Sequence, residues 1–223
     1  MSKILVTGSA NGLGRVVLAA LYKAGHDVYH YDIEHGRNVL EPDLTGISEL
    51  DVLINNAGVN YLNWIGRISE AKWDWVMDTN AKGAFMMTKA CLPMLKESKG
   101  TILNIISNAA WDPMTCSLAY NASKGALAIM TEQMARELKR QWGIDVFGIA
   151  PNKLKGTPMS NNVDRMVCKV RDWTPEHAFR YQQQALLTGE EIPCEILAEF
   201  ISYLLATKDN HRFLSGCIIP YGA

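Results

Sequence analysis

The sequence predicts an α/β fold in which a doubly wound parallel sheet is flanked by helices on both faces. Short apolar runs alternate with longer amphipathic segments along the chain, and this alternation is typical of strand–helix–strand units. The chain has 223 residues, of which 48% are hydrophobic and 20% are charged, so we expect one globular domain over residues 1–223. The net charge of −1 predicts no nucleic-acid partner. No apolar run approaches the ~20 residues of a membrane span.

The predicted elements follow in a regular order. Strands are expected at 3–8, 27–32, 51–58, 100–107, 144–151 and 215–222, the last at an edge of the sheet, and helices at 14–25, 69–98, 120–141 and 194–207. Only 18 residues separate Asp32 from Asp51. This interval has room for a brief strand near 37–44 and hardly for a crossover helix.

The cysteine and histidine patterns indicate neither disulfides nor a metal. The five cysteines are odd in number and widely spaced, which predicts reduced thiols in a cytoplasmic protein. The five histidines lack metal-ligand spacing, so no metal site is expected.

A glycine-rich turn, "TGSANGLG" at 7–14, follows the first strand and opens the first helix. Gly8, Gly12 and Gly14 allow a tight turn and a close approach of phosphate groups to the backbone. The free N–H groups at the start of the helix favour an anion there. The stretch on its own is also compatible with a purely structural turn.

The acid that ends the second strand points to the kind of nucleotide. A carboxylate at Asp32 can accept hydrogen bonds from both adenosine ribose hydroxyls, and it repels a 2′-phosphate. We therefore favour NAD over NADP, although Arg15 and Arg37 are close enough in sequence to favour NADP. A solvated acid at the end of the strand is the simpler alternative.

A tyrosine and a lysine lie one helical turn apart in "YNASK" at 120–124. The four-residue spacing places Tyr120 and Lys124 on one helix face, where an ammonium group lowers the pKa of a phenol. Most such pairs belong to a solvated surface, but the neighbouring residues here are small and leave room for a ligand. Ser107 ends the preceding strand and could bind the same substrate oxygen.

Five segments together resemble the short-chain dehydrogenase/reductase family in its single-domain form. They are "TGSANGLG", "NNAG" at 55–58, "TNAKGAF" at 79–85, Ser107 placed thirteen residues before Tyr120, and "YNASK". The resemblance covers essentially the whole chain and implies a Rossmann-type fold. The short interval after the second strand is found in a minority of such proteins.

The resemblance also implies roles for the residues that match the family motifs. Tyr120 would be the general acid/base, Lys124 would lower its pKa and bind the nicotinamide ribose, and Ser107 would orient the substrate oxygen. Asn80 would hold a water that relays protons from Lys124, or it simply satisfies polar groups within a helix. The implied NAD-binding residues are Gly8, Asn11, Gly12, Leu13, Gly14, Asp32, Asp43, Leu44, Asn56, Ala57, Gly58, Tyr120, Lys124, Pro151 and Thr157, with Asp43 and Leu44 at the adenine.

The substrate would be a small alcohol or ketone. Its predicted contacts are Ser107, Trp111, Met114 and Tyr120, with Tyr61, Trp64 and Met159 as further candidates, beneath a lid at 157–193. Arg165, Arg171 and Arg180 in that lid could meet an anionic substrate or remain solvated. Two departures stand out: Asn152 replaces the glycine that usually follows Pro151, and the chain ends in "YGA".

The favoured function is an NAD-dependent oxidoreductase acting on a secondary alcohol or ketone. A non-catalytic NAD-sensing regulator on the same scaffold is the alternative. Epimerases and dehydratases share the Tyr–Lys pair, but they usually carry a second substrate domain for which this chain has no room. Because the helices near 73–97 and 120–141 have apolar residues on more than one face, and relatives pair such helices, we expect a dimer or homotetramer.

Overall fold

The computed structural model describes residues 1–184 and 186–222. In these residues one parallel sheet has the strand order β2-β1-β3-β4-β5-β6. Its strands are β1 Lys3–Thr7, β2 Asp27–Tyr31, β3 Val52–Asn55, β4 Thr101–Ile105, β5 Asp145–Pro151 and β6 Ile218–Tyr221. The α-helices are α1 Gly12–Lys23, α2 Glu70–Met77, α3 Gly83–Ser98, α4 Leu118–Trp142, α5 Pro158–Arg171, α6 Pro175–Gln184 and α7 Cys194–Leu205. The predicted doubly wound fold is confirmed.

Alternation along the strands divides the core into two layers. In β1, Ile4 and Val6 belong to a cluster that includes α1 and α7, whereas Leu5 belongs to a cluster that includes α3 and α4. Successive side chains of a strand point to opposite faces, so a fully apolar strand requires helices on both sides. None of the helices in the described part of the chain is long and apolar enough to cross a membrane.

The interval between β2 and β3 contains a single 3-10 turn, Ile33–His35, and otherwise irregular chain. The strand predicted near 37–44 is wrong. Buried Tyr31 holds the loop instead, since its hydroxyl donates to the carbonyl of Asn38 at 3.2 Å and accepts from the N–H of Asp43 at 2.9 Å. These bonds satisfy backbone groups that a strand would have paired within a sheet.

The helix predicted over 69–98 is divided by a π-helical turn, Asp78–Lys82, between α2 and α3. Such turns widen the helix locally and are frequent at functional sites. The edge strand predicted at the C-terminal end of the sequence is β6, which begins at Ile218 rather than at 215. Pro220 fits there because an edge strand needs fewer N–H donors.

Candidate active site

A cavity of about 700 Å³ runs along the carboxyl ends of the strands. Ligands of open α/β sheets bind at this edge, where the direction of strand winding reverses; here the reversal lies between β1 and β3. Its lining includes Asp32, the glycine turn and Tyr120. Two motifs that are far apart in sequence therefore share one continuous space.

The glycine turn packs directly against the "NNAG" segment. Asn56 Nδ2 donates to the carbonyls of Thr7 and Gly8 at 2.9 and 3.0 Å. A Cβ on Gly14 would lie 2.1 Å from the Gly8 oxygen and 2.6 Å from Asn56 Nδ2. Gly8 has a φ of +66°, which favours glycine. The turn therefore owes its shape to Asn56 as well as to its own glycines.

The first turn of α1 faces the cavity without a side-chain cap. Asn11 precedes the helix, but its side chain accepts no bond from the helix N–H groups and instead donates to Glu34 Oε1 at 2.9 Å. The first turn contains no acidic residue. The free N–H groups and the positive end of the helix dipole therefore favour an anionic group beside Gly12 and Leu13.

The β2 end of the cavity is acidic. The two carboxylate oxygens of Asp32 accept from the N–H groups of Ala10 and Glu34, each at 2.9 Å. Glu34 also lines the cavity, and the sequence reasoning missed it, because the 3-10 turn that places it there has no clear sequence signal. Arg37 lines the cavity, but it donates to the carbonyls of Asp43 and Thr45 at 2.7 and 3.1 Å.

Asp43 and Leu44, the residues predicted to contact the adenine, differ from the other predicted cofactor residues in their position. Neither residue lines the cavity, whereas Asn38, Val39 and Leu40 do. The N–H of Asp43 is bonded to the Tyr31 hydroxyl, and Leu44 packs against the core below. The loop therefore presents an earlier segment to the cavity than the motif match indicated.

Tyr120, Ser107 and Lys124 lie together in the lining of the cavity. Tyr120 and Lys124 project from α4, and Ser107 follows β4. Lys124 is only 4% exposed, its Nζ donates to the Ile105 carbonyl at 2.8 Å, and this Nζ lies 5.7 Å from the centre of the Tyr120 ring. The predicted grouping of the three side chains is therefore present.

The electrostatics of this trio differ from the expectation. Burial raises the pKa of Tyr120, and the nearby Ser107 hydroxyl acts in the opposite direction. Burial also lowers the pKa of Lys124 to about 8. The Tyr120 pKa is therefore raised rather than lowered, because burial disfavours the charged phenolate more than the Ser107 hydroxyl stabilises it.

Asn80 occupies the π-helical turn and is 1% exposed. Its Oδ1 accepts from the N–H of Val59 at 2.8 Å, and its Nδ2 donates to the Val59 carbonyl and to Ser123 Oγ, each at 2.9 Å. Ser123 in turn donates to the Tyr120 carbonyl at 2.8 Å. Asn80 therefore fixes the backbone after "NNAG" against α4, as the structural alternative anticipated.

The substrate end of the cavity has mixed chemistry. Met114 lines it as predicted, together with Met159. Trp111 does not; it ends a 3-10 turn with 49% of its surface exposed, while the next two residues, Asp112 and Pro113, line the cavity. The other candidates, Tyr61, Trp64, Arg165, Arg171 and Arg180, also lie outside the lining.

The end of β5 completes the wall. Thr157 lines the cavity and caps α5, since its hydroxyl accepts from the N–H of Ser160 at 3.0 Å. Asn152 has no positive φ. Its N–H donates to the Tyr221 carbonyl at 3.0 Å, and its side-chain Nδ2 donates to the Gly222 carbonyl at 3.3 Å. Asn152 therefore joins β5 to the altered C-terminal segment of the chain.

The lining residues fall into a predicted set and a missed set. Those predicted are Gly8, Asn11, Gly12, Leu13, Gly14, Asp32, Asn56, Ala57, Gly58, Ser107, Met114, Tyr120, Lys124, Pro151 and Thr157. Those missed include Glu34, Asn38, Val39, Leu40, Thr79, Asp112, Lys153, Tyr181 and Gln182. The missed residues come from loops, from the 3-10 and π-helical turns and from the segment 157–193, in which Ala185 lies outside the described residues.

Comparison with known proteins identifies the family. A model of the family described as short chain dehydrogenase matches residues 37–167, more than half of the chain. This region contains Asn80, Ser107, Tyr120 and Lys124, and it begins after the glycine turn. The chain therefore belongs to the short-chain dehydrogenase family.

Individual relatives are distant but cover much of the chain. Sorbitol-6-phosphate 2-dehydrogenase from Klebsiella pneumoniae is 27% identical over 93% of this chain and 90% of the relative. The 3-oxoacyl-(acyl-carrier-protein) reductase FabG from Staphylococcus aureus is 31% identical over 66% of this chain and 72% of the relative. The relatives thus include both dehydrogenases and ketoreductases.

Solved structures share the fold. An actinorhodin polyketide ketoreductase variant with NADPH has a TM-score of 0.87 and 23% identity, covering 99% of this chain and 96% of that one. A 3-ketoacyl-(acyl-carrier-protein) reductase from Brucella melitensis complexed with NADH has a TM-score of 0.82 and 20% identity, covering 98% and 96%.

Proposed function

We propose that this protein is an NAD-dependent oxidoreductase that interconverts a secondary alcohol and a ketone, with Tyr120 as general acid/base. The observation that carries the proposal is the continuous cavity, which joins Asp32 and the glycine turn to the Ser107, Tyr120 and Lys124 trio. Membership of the short-chain dehydrogenase family supports the reaction class. The single domain over 1–223 and the lid at 157–193 are parts of the same proposal.

The residues present fit a dinucleotide. The uncapped start of α1 suits a pyrophosphate, and Asp32 suits ribose hydroxyls. Asn38, Val39 and Leu40 are our candidates for the adenine contacts, in place of Asp43 and Leu44. The nicotinamide would supply or accept the hydride.

Two carboxylates favour NAD over NADP. A 2′-phosphate on the adenosine ribose would meet both Asp32 and Glu34, whereas Arg37 is already bonded to two backbone carbonyls. Arg15 lies outside the lining. Similar proteins have been solved with NADPH and with NADH, so this local charge is the basis of our choice.

Tyr120 would transfer the proton while Ser107 orients the substrate oxygen. Burial raises the pKa of Tyr120, so the phenol keeps its proton at neutral pH and can donate it when negative charge develops on the carbonyl oxygen. Alcohol oxidation requires the reverse transfer and should accelerate as the pH rises.

Lys124 would bind the nicotinamide ribose and pass the proton on. Its pKa of about 8 allows it to gain and lose a proton near neutral pH. The side-chain atoms of Asn80 are already bonded to Val59 and Ser123. In our proposal Asn80 therefore supports the relay water by fixing the backbone around it rather than by binding the water with its side chain.

Titration of the purified protein with NADH and NADPH, followed by nicotinamide fluorescence, tests the cofactor. We expect NADH to bind at least about tenfold more tightly, and the preference to fall in Glu34→Gln but not in the control Glu41→Gln, an exposed acid off the cavity. Tighter binding of NADPH would overturn the NAD assignment, and binding of neither would overturn the proposed function.

A further inference from the structure

We propose that the substrate carries no negative charge next to its reacting carbonyl, and that a cluster around Lys153 enforces this. The inference rests on the proposed function and narrows its substrate class. It excludes carboxylates and phosphate esters of short ketones and alcohols, and it selects their uncharged counterparts.

The cavity has few cations that could meet an anionic substrate. Among the described residues that line it, the lysines and arginines are Arg37, Lys124 and Lys153. Arg37 lies at the Asp32 end and is bonded to two carbonyls. Lys124 bonds the Ile105 carbonyl beneath Tyr120. Among the described lining residues, Lys153 is thus the remaining lysine or arginine that could meet a substrate on the lid side.

Lys153 is fully engaged by acids and an amide of the lid. Its Nζ lies 2.6 Å from Asp164 Oδ1, 2.7 Å from Glu191 Oε1 and 2.5 Å from Gln182 Oε1. The lysine side chain is 16% exposed. An ammonium has three N–H donors, so these three oxygens use its whole capacity. With two carboxylates around one ammonium, the cluster has a net charge of −1.

The remaining groups at this end also disfavour an anion. Asp112, a further carboxylate, lines the cavity. Met114, Pro113, Met159, Val163 and Leu186 provide apolar walls. A carboxylate on the substrate would lose water and meet the like charge of Asp112, with no unpaired ammonium at Lys153 to offset it. An uncharged ketone meets none of these penalties.

Acetoacetate and acetoacetamide form a suitable probe pair, because they have nearly the same shape and differ in charge. Their dissociation constants are measured on the protein saturated with NADH, through the change in NADH fluorescence, so turnover is not required. We expect the amide to bind at least about tenfold more tightly than the acid.

The double variant Asp164→Asn, Glu191→Gln removes both carboxylates that pair with Lys153, so its positive charge is no longer neutralised. We expect it to strengthen acetoacetate binding about tenfold and to leave acetoacetamide within about twofold of the wild type. The matched control is Glu49→Gln, Asp209→Asn, which changes the net charge equally at exposed pairs with Lys3 and Arg212. The single variant Glu191→Gln repeats the test if the double variant does not fold.

Three outcomes overturn the inference: acetoacetate binds the wild type as tightly as the amide, the variants leave its affinity unchanged, or neither compound binds the NADH complex. Loss of the proposed function is separate, because it is read from the absence of NADH binding before either probe is added.

Discussion

Lys124 holds a positive charge in a place that water hardly reaches. It is 4% exposed and bonded to the Ile105 carbonyl, and burial lowers its pKa to about 8. A charge in this position disfavours folding at neutral pH. If Lys124 serves the chemistry, the fold tolerates the cost of keeping it there.

Replacing Lys124 by methionine should alter the pH dependence of stability. Below pH 8 the lysine is protonated in both states, but between the folded pKa of about 8 and the ordinary 10.5 the unfolded chain binds more protons. The wild type therefore gains stability across this window. Relative to the wild type, Lys124→Met should lose roughly 2 kcal/mol between pH 7 and pH 9.5, measured by urea unfolding.

The control for this prediction is Lys89→Met. Lys89 is an exposed lysine on α3, and its replacement should shift stability equally at both pH values. The contributions of other titrating groups cancel in the difference in unfolding free energy between variant and wild type. If this difference did not change with pH for Lys124→Met, the burial argument would be contradicted.

Single residues show which features of the site can be predicted from the sequence. The spacing of Tyr120 and Lys124 on a helix was sufficient to predict that they share a face, and the structure confirms it. The predicted direction of the Tyr120 pKa shift was wrong, because burial raises this pKa, and burial depends on how the whole fold encloses the ring rather than on the helix alone. Trp111, predicted at the substrate, lies outside the cavity lining, because it follows a 3-10 turn of three residues, Asn108–Ala110, after which Asp112 and Pro113 face the cavity.

At the scale of elements, the glycine turn and the "NNAG" segment form one unit. Gly14→Ala would place a Cβ 2.1 Å from the Gly8 oxygen, so we expect a loss of about 3 kcal/mol in unfolding free energy and weaker NADH binding. Thermal unfolding and NADH titration measure the two effects.

The matched control is Gly66→Ala. A Cβ at Gly66 would meet nothing within 4 Å, and the residue has no positive φ. It should leave both stability and NADH affinity near the wild type. If Gly14→Ala and Gly66→Ala had the same stability and NADH affinity, the close packing at Gly14 would contribute to neither.

The loop between β2 and β3 marks the limit of motif matching. Its shortness was predicted from the count of residues after Asp32, but the predicted brief strand was wrong. Asp43 and Leu44, predicted at the adenine, lie outside the cavity lining. The Tyr31 hydroxyl binds this loop at both Asn38 and Asp43. A contact between a strand and a distant loop leaves no periodic signal in the sequence.

At the scale of the whole molecule, apolar alternation predicted the parallel sheet well. The apolar strands require helices on both faces, and the two core clusters have this arrangement. The conformation of residues 157–193 was harder to predict from the sequence, because the helices α5 and α6 are held by side-chain contacts such as those of Lys153.

The outer surfaces of α3 and α4 carry our assembly prediction. Phe85 and Ile129 are 47% and 67% exposed there, and exposed apolar residues on neighbouring helices favour association. We expect Phe85→Glu, Ile129→Glu to lower the mass in sedimentation velocity, while Leu187→Glu, on the lid side, leaves the mass unchanged. A wild type that sediments as a monomer would contradict the homo-oligomer proposal.

The central claim is that Tyr120 transfers the proton in a cavity that binds NADH. The most direct measurement is a single-turnover assay of NADH oxidation by a ketone, with wild type and Tyr120→Phe, after NADH affinity has been measured on the same samples. We predict equal NADH affinity and a rate at least about 10²-fold lower in the variant. A Tyr120→Phe protein that binds NADH and reduces the ketone at the wild-type rate would contradict the claim.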